Sequence, residues 1–334
     1  MKYDLKLSTV IDDRSAGKTI LQAIAERFSY HSEEFWRQSI AEGHITINQS
    51  TAKPNQILKS GDLLNFTIPD FEEQDIDSNY DIVWKNEYLW LVNKPAGLPV
   101  HSTRRFYYQT LIAAMRRREH CDKLNPLQRL DRETSGLMFL SDPDKVPHNF
   151  HKNFKKYILG KFYLAIVRGD FPWSEKTVSE PLAELKTPPV RYRMHVTPNG
   201  KSAETVFIKL FSAKDSSLLL VRLITGRKHQ IRAHLEYLGY PLIGEKLYYR
   251  NAEFFLKRCE DNLLAEDLAK LGSSNHLLHA YAIRTYFPGM PERIFYADRV
   301  SDEFSGKANE FGDWRTTAIS TINSLCKKSK NDLP

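Results

Sequence analysis

The 334-residue chain reads as an α+β protein, with a small N-terminal α/β module followed by a larger domain built mainly on an antiparallel sheet. Three observations carry that expectation. Apolar residues recur at helical spacing in only a few short stretches. Between residues 82 and 299 many short β-rich runs follow one another, without the regular helix–strand alternation of a doubly wound sheet. Residues 70–81 hold six acidic side chains, no basic one and little apolar material, which marks a connector between two folded parts.

In chain order, residues 15–42 predict two short helices. Ile20, Leu21, Ile24, Ala25 and Phe28 form the apolar stripe of the first. Ser32 caps the second, Glu33 and Glu34 favour its positive end, and Gly43 ends it. Two strands, 44–48 and 63–68, follow around a turn-rich stretch with Pro54 and Gly61. The expected domains are residues 1–69, a linker at 70–81, a main domain at 82–300 and a loosely held polar tail at 301–334. In the main domain, residues 82–84, 89–92, 136–140, 162–167, 205–211 and 218–224 predict strands. Residues 229–238 predict a helix stopped by Gly239, and residues 254–271 hold another.

Composition sets the outer bounds. With 41% hydrophobic and 27% charged residues the chain has enough apolar material for a sizeable core. A net charge of +7 and a pI near 9.1 favour a polyanionic partner without naming one. Cys121, Cys259 and Cys326 lie far apart, which excludes zinc-ligand spacing and a disulfide framework. The opening Met1-Lys2-Tyr3-Asp4-Leu5-Lys6 lacks an apolar core of signal-peptide length, and no apolar stretch is long enough to span a bilayer. A cytoplasmic or otherwise reducing compartment is expected. Ser15-Ala16-Gly17-Lys18-Thr19 imitates the end of a phosphate-binding loop, but Asp12 stands where the loop needs its first glycine. A plain helix start is the better reading, and no nucleotide is expected.

Two stretches carry the chemistry. In Arg129-Leu130-Asp131-Arg132-Glu133-Thr134-Ser135-Gly136, Asp131 lies between two arginines and ahead of an apolar run. Neighbouring cations keep a carboxylate ionised, as a nucleophile must be, although a turn with a surface ion pair explains the same residues. In Gly226-Arg227-Lys228-His229-Gln230-Ile231-Arg232, Arg232 sits at the border of the apolar stripe formed by Ile231, Leu235 and Leu238, within reach of a partly buried carboxylate. Lys228 and His229 stand at the helix start, where phosphates can meet them; a solvated basic helix is the plain alternative. Basic and aromatic residues also interleave from Arg104 and Arg105 through Tyr108 to Arg116, Arg117 and Arg118, and again from Phe150 to Tyr163. That mixture suits phosphates and unpaired bases, though aromatic residues more often belong to a core.

Taken in order, the stretches resemble the RluA-type pseudouridine synthases. Leu91-Val92-Asn93-Lys94-Pro95-Ala96-Gly97 is similar to the family's opening signature, and Arg129-Leu130-Asp131-Arg132 with Thr134-Ser135-Gly136-Leu137 to its catalytic motif. Lys161-Phe162-Tyr163, Gly200-Lys201-Ser202-Ala203-Glu204-Thr205, Gly226–Arg232 and Leu278-His279-Ala280 match later signatures. Three positions depart from the family pattern. Gln128 stands for the usual His, Gly244-Glu245 for Gly-Asp, and Phe287-Pro288 for His-Pro. The N-terminal module resembles the small RNA-binding domain first seen in ribosomal protein S-four.

The resemblance implies isomerisation of uridine to its carbon-linked form in ribosomal or transfer RNA, by a monomer without cofactor or metal. It assigns Asp131 as catalytic carboxylate, Arg232 as its partner and Tyr163 as the ring that stacks on the flipped uracil. Arg129 would displace the base, and Arg132, Arg104, Arg105, Lys228 and His229 would meet the RNA. The rival reading is an RNA-binding or assembly protein on the same fold that has lost catalysis, for which Gln128 is the one supporting feature.

Overall fold

The structure, a computed structural model, describes residues 2–28, 32–103, 105–186, 190 and 193–331, and for 329–331 the backbone only. The chain forms two compact units, 1–75 and 76–334.

The smaller unit is a four-stranded sheet with two helices. Helix Ile20–Arg27 starts at Thr19, whose side chain accepts from the Gln22 amide while Gln22 Oε1 accepts from the Thr19 amide. The residues that imitate a phosphate loop are therefore a turn and a helix cap, with Asp12 accepting from the Ser15 amide. Helix Glu33–Ala41 starts at Ser32 as predicted. Its Trp36 is buried with Ile20, Ile24, Ile40, Ile45 and Phe66 in the unit's own core. The first strand, Lys2–Val10, pairs antiparallel with Leu63–Glu72 and is absent from the sequence-based expectation.

The larger unit carries a sheet of ten strands with one parallel contact, between Leu278–Thr285 and Ser135–Ser141; every other pair in it is antiparallel. The six predicted strands are present as Asp81–Lys85, Leu89–Lys94, Ser135–Ser141, Ile158–Arg168, Thr205–Ala213 and Ser216–Leu223. Successive residues face opposite sides, so Leu164, Ile166, Leu218 and Leu220 enter one core while Tyr163, Ala165, Leu219 and Val221 enter another. Both faces are apolar, and both need cover. Helix Gln230–Tyr237 covers one face with Ile231 and Leu235. The stretch 254–271 forms two helices, Glu253–Cys259 and Ala265–Leu271, where one was expected.

The polar tail expected at 301–334 is a correction. Helices Asp302–Ala308 and Trp314–Asn331 bring Phe304, Trp314, Ala318, Ile322 and Cys326 into the core on the opposite face. The reason is the second apolar face of the sheet, which would otherwise meet water. The linker is also shorter than residues 70–81. The strand Leu63–Glu72 runs into it, and Ile76 and Tyr80 pack on the larger unit, where Tyr80 donates to Glu119 at 3.0 Å and Arg118 donates to Ser78 and Asn79.

Candidate active site

Asp131 lies in the loop that leads into Ser135–Ser141. Gly136, at φ +108°, sets that loop against Ala280: a Cβ there would stand 2.3 Å from the Ala280 carbonyl oxygen. From below, the buried ammonium of Lys94 donates to the carbonyls of Pro95, Leu98 and Arg132 at 2.8, 2.9 and 3.0 Å. Burial pulls Lys94 down to about 7, and three carbonyl acceptors favour its protonated form.

Arg232 comes from the helix Gln230–Tyr237, whose start is fixed by Gln230. Its Oε1 accepts from the Arg227 amide and the Thr225 hydroxyl, and its Nε2 donates to Glu204 O and Thr205 Oγ1. These bonds hold His229 at φ +53°, a left-handed conformation costly for a non-glycine residue. Arg232 Nη1 donates to Asp131 Oδ2 at 2.8 Å, while Nε and Nη2 donate to the two oxygens of Glu245 at 2.8 and 2.7 Å. Glu245 Oε1 also accepts from the Leu247 and Tyr248 amides, and the guanidinium lies 5.1 Å from the Tyr248 ring centre. The arginine is thus gripped on a buried carboxylate by one edge and presents the other to Asp131.

Burial alone would raise the pKa of Asp131; the opposing charges of His229, Arg232 and His276 bring it down to about 2. His229 and His276 are themselves pushed down to about 4, first by burial. At neutral pH both are uncharged, so Arg232 is the permanent cation that keeps Asp131 ionised. Glu133 anchors a second buried cluster. It accepts from Lys246 at 2.9 Å, from Arg258 and from the His276 amide, and His276 in turn contacts Thr134 Oγ1 at 2.7 Å. Its carboxyl is held well below the usual range, because Lys246 and Arg258 outweigh the cost of burial.

Asp131 faces a cavity of about 570 Å³ that also exposes Tyr163, Arg129, Lys155, Lys161, Arg227 and Lys228. Tyr163 belongs to the strand Ile158–Arg168; burial first, then Asp131, raise its hydroxyl pKa, so it stays a phenol. Among the described residues Arg129 has neither an ion pair nor a hydrogen bond, and it is exposed at the rim.

The other residues expected to meet RNA divide. Lys228 lines the cavity but pairs with Glu184 at 2.6 Å. His229 turns inward, with Nε2 3.6 Å from Asp131 Oδ1. Arg132 is half-buried: its Nε donates to Gly97 O and its guanidinium lies 4.5 Å from the Phe106 ring centre, so its contacts are internal. Arg105 donates to Asp261 and the Cys259 carbonyl, away from the cavity lining. Arg104 lies outside the described residues. Arg116, Arg117 and Arg118 bind Leu124 O, Tyr108 O and Ser78, Asn79 within the fold. Among the described residues no cluster of His, Cys, Asp and Glu suits a metal ion.

Sequence reasoning missed Glu245, Glu133 and Tyr248 as parts of the site, and met Lys161 only within the interleaved basic and aromatic stretch and the signature around Tyr163. A signal for the first existed: Gly244, at φ +79°, would place a Cβ 2.1 Å from Asn275 O, so a Gly-Glu pair there marks a tightly placed turn. Nothing in the spacing links Glu245 to Arg232.

The signature of the family described as RNA pseudouridylate synthase matches residues 88–237. Human pseudouridylate synthase RPUSD2 is 31% identical over 74% of this chain and 45% of its own length. The mitochondrial tRNA pseudouridine(32) synthase of Saccharomyces cerevisiae is 30% identical over 74% of this chain and 54% of its own. The chain therefore spans about half the length of these curated relatives. Among solved structures, human RNA pseudouridylate synthase domain containing 1 superposes with a TM-score of 0.53 at 22% identity, over 68% of this chain and 86% of that one, a likeness of fold.

Proposed function

Because the chain belongs to the RNA pseudouridylate synthase family, we propose that it isomerises specific uridines of structured RNA to pseudouridine, with Asp131 as the catalytic carboxylate. The observation that carries this is the Asp131–Arg232–Glu245 row at the floor of a cation-lined cavity. In the reaction the bond from N1 to C1′ breaks, the bond from C5 to C1′ forms, C5 loses its proton and N1 gains one. No atom is added overall, so the site needs no group donor.

A uridine inside a helix must leave the stack to enter the cavity. Arg129, unpartnered at the rim, takes its place in the RNA, and Tyr163 stacks on the extruded uracil. Arg232 keeps Asp131 ionised and aimed, so the carboxylate either attacks C1′ or takes a proton beside it. Held as a phenol, Tyr163 assists removal of the C5 proton only by passing its own proton on. Lys155, Lys161, Arg227 and Lys228 give the cavity its cationic lining for the RNA backbone.

The RNA is transfer or ribosomal RNA; a relative named for tRNA position 32 supports the first. The N-terminal unit is a second RNA contact of the S-four type. In this reading the protein works as a monomer in a reducing compartment such as the cytoplasm, where thiols outside disulfides persist. No described helix is long and apolar enough to cross a membrane. Gln128 does not favour the binding-only reading: its amide donates to Leu137 O at 3.2 Å and supports the strand behind Asp131.

RNA labelled with tritium at uridine C5 tests the proposal. The full chain is expected to release tritium to water, and Asp131→Asn to release none while its RNA Kd stays near wild type. Release by Asp131→Asn at the wild-type rate would refute the assignment.

A further inference from the structure

The sequence puts His229 among the phosphate contacts, but its surroundings point elsewhere. Its Nδ1 lies 3.0 Å from the Tyr248 hydroxyl, and its Nε2 faces Asp131 Oδ1 at 3.6 Å. The Tyr248 oxygen already accepts the Met194 amide at 3.0 Å. Its own proton therefore needs an acceptor, and among the described residues Nδ1 is the one in reach. Tyr248 is 2% exposed, so water does not readily replace that partner.

We infer that His229 is a positioning residue, locked by Tyr248 in the tautomer that carries its proton on Nε2, and that it steadies the Oδ1 oxygen of Asp131. The inference rests on Asp131 being the catalytic carboxylate. Arg232 holds Oδ2, so Asp131 is gripped from two directions by donors on one helix start. The two grips differ in kind. Arg232 supplies a permanent charge at hydrogen-bond distance, while His229 supplies a neutral N–H at a longer one. A catalytic contact of that length in the free enzyme tightens when substrate fills the site. The left-handed backbone of His229, enforced by the Gln230 bonds, is what turns the imidazole inward and away from solvent. Burial keeps it uncharged at neutral pH, the state in which a fixed tautomer has meaning.

Two measurements on the full chain test this. With 15N-labelled histidine, the His229 ring nitrogens are identified among the 11 histidines by their loss in His229→Gln. Wild type is expected to show the proton on Nε2, and Tyr248→Phe, which keeps the ring but loses the hydroxyl, a shift toward the other tautomer. In single-turnover tritium release at saturating RNA, His229→Ala is expected to slow the rate by about 10- to 100-fold with Kd unchanged. His229→Gln, whose amide nitrogen stands in for Nε2, recovers most of the rate. In that background Tyr248→Phe costs less than it does in wild type. A proton on Nδ1 in wild type overturns the inference. So does a His229→Ala protein with full rate at saturation but weaker RNA binding and a salt slope lowered by about one, the signature of a phosphate contact. If wild type releases no tritium, the catalytic reading and this role fall together, while the spectrum still decides the tautomer lock.

Discussion

Arg232 sits between two carboxylates, 8% exposed, with each of its three donor positions engaged. Removing one partner from a buried ion group leaves the others unpaired in a poorly solvated place, which costs about 3–5 kcal/mol. Arg232→Ala is accordingly expected to lower the urea midpoint by that equivalent as well as to abolish turnover. Arg232→Lys rescues neither, because an ammonium lacks the planar fork that spans Glu245 and Asp131 at once. An unchanged midpoint in Arg232→Ala would show that the row contributes nothing to the fold. The buried histidines set the pH dependence. His276 and His279 are depressed to about 4 and about 3, mainly by burial, whereas an unfolded chain protonates them near about 6.5. Their contribution is complete above that pH and is lost as pH falls toward the folded values. Depression of Asp131 and Glu245 to about 2 adds a further loss below about 4. Lys94, at about 7 folded, already lowers stability as pH falls from 8 to 7, and the histidines add to this below about 6.5; urea midpoints that stay level from pH 8 to 4.5 would contradict this. At this scale the sequence was legible where motifs stand in order: Asp131, Tyr163 and Arg232 do meet at one cavity. A cation read by type alone is less legible, because Arg132 is tied to Gly97 O and Arg105 forms an exposed ion pair with Asp261. The departures from the family pattern also have local reasons. Glu245 reaches both Arg232 and two backbone amides, and Phe287 fills a cluster with Phe139, Phe150 and Phe154.

The helix Trp314–Asn331 shows why composition is a poor guide to an element. Its sequence is mostly polar, yet Trp314, Ala318, Ile322 and Cys326 recur every four residues and all are buried. A narrow stripe of that kind is enough to seal one face of a sheet whose strands are apolar on both sides. Trp314→Ala is expected to cost about 3–5 kcal/mol, read as a lowered melting temperature. Substitution of the exposed Thr316 by Ala should leave it unchanged. A melting temperature insensitive to Trp314→Ala would restore the picture of a loose tail. The helix Gln230–Tyr237 was legible for the opposite reason, a clear apolar spacing closed by Gly239. The strand Lys2–Val10 was not: its apolar residues are few, and it is defined by pairing with a partner about sixty residues away.

Across the whole molecule, charge is divided unevenly. Residues 1–75 hold eight lysines and arginines against twelve aspartates and glutamates, so the positive excess of the chain belongs to the larger unit. Electrostatic attraction to RNA therefore resides with the unit that contains the cavity. The N-terminal unit, as a proposed RNA contact, acts through shape and local basic residues. Residues 76–334 have their own cores and are expected to fold alone with an undiminished slope of log Kd against log salt. A clear fall in that slope would assign phosphate contacts to the N-terminal unit. The boundary between the units was legible from the acidic run at 70–81, but its length was overstated, since Tyr80 and its neighbours are held by Glu119 and Arg118. The central claim is tested most directly by mapping pseudouridine at single-nucleotide resolution in total tRNA and rRNA from a strain lacking the gene, after incubation with wild type or Asp131→Asn. A site modified by wild type and left as uridine by Asp131→Asn is the expected result. Modification by both proteins, or tight RNA binding with modification by neither, would contradict the account.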